Sequence, residues 1–141
     1  MTSRPNEFQS PARAARMIHA SLILGQVLFA GVAVFTKRAN AATVTALPRT
    51  TVLLLFGAAI AACIIALVLR QQVPARSSST SPDAFWTTAS QKATLTWAPL
   101  EAAGLFALSQ YFMSVDAIAL AAAAIPLTLL VILNPWHLER Q

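Results

Sequence analysis

Four long apolar stretches decide what this chain can become: residues 17–36, 50–69, about 95–115 and 117–134. Each approaches the ~20 residues that cross a hydrocarbon core of ~30 Å at 1.5 Å per residue. In lipid the backbone has to satisfy its own hydrogen bonds. None of the four runs shows the period-two alternation of a barrel strand, so helices are the expected solution. Composition agrees, with 57% hydrophobic and 11% charged residues against roughly 25% charged in ordinary soluble domains.

The expected fold is therefore all-α, a four-transmembrane-helix bundle built of two antiparallel hairpins. A tail over 1–16 precedes a first hairpin over 17–69. A flexible linker over 70–92, rich in serine, threonine and proline, leads to a second hairpin over 93–134, and a short tail covers 135–141. The segment around Phe85 and Trp86 is an alternative short interfacial helix. Arg13 and Arg16 ahead of the first run, with "ANA" at 39–41, resemble a signal peptide. The run is longer than a usual signal core and Lys37 and Arg38 intervene, so a retained anchor is expected.

The net charge of +5 sits in loops beside the membrane segments, which argues against a nucleic-acid partner. It sets orientation instead. Arg4, Arg13, Arg16, Arg70, Arg76, Lys92 and Arg140 fall on one side of a four-crossing topology, and Lys37, Arg38 and Arg49 on the other. Seven against three places both termini in the cytoplasm of a bacterial inner membrane. The single cysteine, Cys63, can form no disulfide within the chain.

Helices in lipid associate through close packing at small residues. Ser21 and Gly25, Gly57 and Ala61, and Ala103 and Ala107 form the expected packing strips. Trp86, Trp97 and Trp136 are expected interfacial anchors. Few polar side chains lie within the spans, and Glu101 is the one acid among them. Counted from the cytoplasmic ends of their helices, Gln26 and Glu101 fall at similar depths of ~14 Å and ~12 Å, so Gln26 can hydrogen-bond the carboxyl, with Thr128 as a third member. A charge at the bilayer centre costs at least about 2.5–3.5 kcal/mol, which makes both neutral and ionised forms accessible and suits a proton carrier. Alternatively Pro99 opens the third helix, and Glu101 is a structural carboxylate in its first turn. His19 is a minor candidate as a haem or pigment ligand. No phosphate-binding loop, metal cluster or nucleophile elbow is present in the sequence, so neither enzymatic activity nor a cofactor is expected.

The stretch "WAPLEAAGLFAL" resembles the proteolipid rings of rotary ATPases, whose four-helix forms look like fused hairpins with one ion-binding glutamate. By that resemblance Glu101 binds a proton or sodium ion, with Gln26 as coordinating partner. The glycine-rich first helix of that family is missing, and the glutamate here falls on the third helix. The same stretch resembles small uncharacterised four-helix bacterial membrane proteins with a W-A-x-L-E element. The leading expectation is a non-catalytic membrane subunit that packs against other membrane proteins, or against itself, in the lipid bilayer. Proton or cation translocation through Glu101 is the alternative.

Overall fold

A computed structural model describes residues 10–40 and 43–139, and these are all-α. The helices are α1 (Pro11–Ala39), α2 (Arg49–Arg70), α3 (Pro82–Ser114), α4 (Ala117–Ile132) and a short α5 (Pro135–Glu139). Among the described residues three segments are long and apolar enough to cross a membrane: Pro11–Ala39, Arg49–Arg70 and Ala117–Glu139. The expected third span, within α3, is not one of them. Arg4, Arg140 and Ala41 of the "ANA" site lie outside the described residues.

Helix starts follow local chemistry. Ser10 caps α1 by accepting from Arg13 N at 3.3 Å with Pro11 next in line, and Ser81 caps α3 by accepting from Ala84 N at 3.3 Å with Pro82 following. A serine cap before a proline supplies an acceptor for an orphan N–H and a residue whose fixed φ already suits a helix. Both starts lie earlier than the apolar patterning suggested. The expected linker over 70–92 is non-helical only up to Ser81, and Phe85, Trp86 and Ala89 beyond it are buried. Between α3 and α4, Val115 takes a left-handed conformation with φ 59°, a strained choice for a β-branched residue. Asp116 then caps α4 through Ile118 N at 3.0 Å.

The centre of the molecule is α3. It packs along α1, α2 and α4, whereas α1 meets α4 only slightly and α1 and α2 scarcely touch. The turn between α3 and α4 makes a packed antiparallel pair, but α1 and α2 lie on α3 instead of on each other. α3 carries the most buried side chains of the four long helices, although Leu95, Phe106, Phe112 and Met113 along it stay exposed.

The interior is built from small and aromatic residues. One cluster joins Ala15, Ala66, Trp86, Trp97, Leu100 and Leu130; the other joins Ala33, Leu55, Ala107, Leu108, Tyr111 and Ala122. Outward, α1 presents Leu24, Leu28, Val32 and Phe35, and α2 presents Leu53, Leu54, Ile60 and Ile64. Large apolar side chains outside and alanine inside is the arrangement that close packing in lipid produces. The small-residue strips divide accordingly. Ala107 is buried and Ala103 half-buried, but Ser21, Gly25, Gly57 and Ala61 are exposed. On α2 the inward strip is instead Ala59, Ala62 and Ala66, because the helix is rotated to bring those positions onto α3 and α4.

Candidate intramembrane carboxyl site

Glu101 and Gln26 meet. The Gln26 amide donates from Nε2 to Glu101 Oε2 at 2.7 Å, and the same nitrogen lies 3.5 Å from the carbonyl of Leu100. Gln26 is 1% exposed, while Glu101 is half-buried along the seam between α1 and α3. Gly104 makes the approach possible. It lies on the same face of α3 as Glu101, and a Cβ there would collide with the Gln26 amide. On α1, a Cβ at Gly25 would sit 3.7 Å from Glu101 Oε1, so one glycine borders the amide and another the carboxyl.

The hydrogen-bonding is incomplete. Gln26 is the one hydrogen-bond donor to the Glu101 carboxyl among the described residues, and no cation pairs with it. The other amide atom, Gln26 Oε1, is buried without a partner. A buried acceptor left unpaired costs about 1–3 kcal/mol, which makes this pair an energetically exposed point in the core.

The placement removes one reading of Glu101. Since α3 starts at Pro82, Pro99 is interior to the helix, and Glu101 is far from the positive helix end that falls off within the first turn. Thr128 does not join the pair. It is exposed on α4, and its hydroxyl donates to the Ala124 carbonyl at 2.7 Å.

The expected anchors Trp86 and Trp97 are both 0% exposed. Their rings lie side by side at a tilt of 39° with centroids 6.3 Å apart, and each N–H finds a buried acceptor: Glu139 Oε1 at 2.7 Å for Trp86 and the Leu133 carbonyl at 2.9 Å for Trp97. A satisfied N–H is what allows a large indole to be buried. Only Trp136 faces outward, with the Arg16 guanidinium 5.4 Å from its ring centre.

His19 is buried, with its ring edge against Trp97 at 4.8 Å and Nε2 paired with the Leu130 carbonyl at 2.9 Å. His19 and Trp97 thus satisfy carbonyls that the end of α4 leaves unpaired. The ring nitrogen is committed to the backbone, and among the described residues no three His, Cys, Asp or Glu side chains form a metal-binding group. Sequence reasoning missed the lock beside them, in which Arg16 Nη2 reaches both oxygens of Glu139 at 2.9 and 3.0 Å.

Comparison with protein families, with curated proteins and with solved structures finds no match.

Proposed function

We propose that this chain is an integral membrane protein, a non-catalytic four-helix bundle that serves as a small subunit of a larger membrane assembly or of a homo-oligomer. In this reading α1, α2 and α4 face lipid around α3, and the basic loops hold both chain ends on the cytoplasmic side of a bacterial inner membrane. The carrying observation is Glu101, a half-buried carboxyl within an apolar seam, with one donor from its own chain. Lipid offers no hydrogen bonds to complete its shell. A neighbouring helix laid against Gly25 supplies both cover and donors.

A second reading has its own support in the unpartnered Gln26 Oε1. When Glu101 is ionised, Nε2 donates to it and Oε1 is stranded. When Glu101 is protonated, a half-turn of the amide lets Oε1 accept a hydrogen bond from the carboxyl O–H. That exchange fits a group that carries a proton, or a cation held between the two oxygens, which is also what the resemblance to rotary proteolipids implies.

One substitution separates the two. Glu101→Gln keeps the size and hydrogen-bonding capacity but cannot ionise. For an assembly subunit, the variant retains its oligomeric mass in light scattering and its co-purifying proteins, and reconstituted vesicles show no proton flux before or after the change. For a carrier, wild-type vesicles conduct protons and the variant does not. A wild-type chain that is monomeric, purifies alone and conducts nothing contradicts both readings.

A further inference from the structure

A groove of about 420 Å³ runs between α1 and the α4–α5 junction, opened by the slight contact between α1 and α4. Its two ends differ in chemistry. Arg16, Asn134 and Trp136 form the polar end, and Ile23, Leu24 and Val27 of α1 line the length below it. From Arg16 to Val27 the helix rises ~16 Å, about half the ~30 Å hydrocarbon thickness, which is the depth of one leaflet.

From this geometry we infer that the groove is a binding site for one anionic phospholipid, with its phosphate at Arg16 and an acyl chain along α1. Charge complementarity selects this occupant. The Arg16 side chain lines the groove, is 36% exposed, contacts Glu139 through Nη2 alone and keeps a buried Nε without a partner, so its donors are not exhausted by Glu139. Stacking on Trp136 holds the guanidinium there. Glu139 is only 8% exposed and takes a second hydrogen bond from Trp86, which turns its charge toward the interior. A single arginine beside an anionic headgroup contributes roughly fivefold in affinity, enough to discriminate headgroups but not to immobilise a lipid permanently. The inference rests on the membrane reading but not on the role of Glu101.

Native mass spectrometry of the full chain, released from neutral detergent containing equal phosphatidylglycerol and phosphatidylcholine of the same acyl length, tests it. One bound phosphatidylglycerol is expected, retained about fivefold over phosphatidylcholine. Arg16→Gln removes the preference, and Glu139→Gln, which leaves Arg16 uncompensated, increases it. Because Arg16→Gln also breaks the lock to α5, Val27→Trp provides a separate check: it fills the deep end of the groove and abolishes the retained lipid. Inorganic phosphate does not displace the lipid. Equal retention of both lipids, displacement by phosphate alone, no effect of Val27→Trp, or a dimer that Val27→Trp dissolves each overturns the inference. A chain that stays soluble without detergent defeats the membrane reading itself, whereas a detergent-dependent chain without lipid preference defeats only the groove.

Discussion

At the residue scale, the pairing of Glu101 with Gln26 is legible in the apolar runs, where counting from residues 17 and 93 gives both a similar depth, although the helices themselves begin earlier, at Pro11 and Pro82. Gly104 carries no such signal. A lone glycine among alanines reads as filler, and its purpose appears only when α1 is laid against α3 and the Gln26 amide occupies the space a Cβ would need. Gly104→Ala therefore forces the amide away from the carboxyl. Overpacking of this kind costs about 1–3 kcal/mol, and loss of the single donor to Glu101 adds to it. Thermal unfolding in detergent should show a clear drop for Gly104→Ala. Shortening the opposing side chain in the same molecule, Gly104→Ala with Gln26→Ala, should recover part of the loss, because contacting residues are not additive. Strictly additive losses would mean that the two positions do not touch. The burial of Trp86 and Trp97 is hidden in the sequence for a related reason: an indole beside an apolar run looks the same whether its N–H meets headgroups or, as here, a carboxylate and a backbone carbonyl.

At the element scale, the apolar runs disclosed the helices but not where they begin. The serine-proline caps at Ser10 and Ser81 lie within segments whose polar composition reads as a tail and a linker. The pairing between elements was not visible at all, because similar alanine-rich faces do not say which helix meets which. Two carboxylates outside the spans tie those elements together. Asp83, at the start of α3, accepts from Ser10 Oγ at 2.7 Å and from Ala12 N at 3.2 Å, and these bonds, the serine's first, hold its carboxyl below the ordinary range. Asp116 is lowered by the N–H of Ile118 and then by that of Leu47, which it reaches at 3.0 Å. A folded value below the unfolded one means the ionised form favours the folded state. This stabilisation is complete above the ordinary aspartate value of about 3.9 and is lost as pH falls through the depressed folded values. The melting temperature in detergent should thus be level around neutrality and decline below about pH 4. Asp83→Asn should lower the neutral plateau and make the acid decline shallower. A parallel acid decline in wild type and variant would show that Asp83 contributes no pH dependence.

At the scale of the whole molecule, the helix with the most buried side chains, α3, is the long helix without a membrane-crossing apolar stretch, and this has a consequence for how the protein enters a membrane. The α1, α2 and α4–α5 segments are apolar enough to cross alone; α3, with Glu101 inside it and Lys92 exposed in its first half, packs against α1, α2 and α4. Protein contacts replace the lipid solvation that α3 does not obtain for itself. In particular, Gln26 of α1 supplies the donor that an isolated α3 lacks. A charged residue near a helix centre penalises insertion by about 2.5–3.5 kcal/mol on translocon scales, which is enough to reverse the outcome for a marginal segment. Segment 82–114, placed in a glycosylation-mapping host, should remain largely uninserted, while segment 49–70 in the same host crosses efficiently. Glu101→Leu should rescue the isolated 82–114 segment. In the full chain, where α1 is present, α3 should cross with or without that change, and Gln26→Leu should reduce crossing only while Glu101 is in place. If isolated 82–114 inserts as readily as 49–70, the central position of α3 is a matter of packing alone and its neighbours do not carry it into the bilayer.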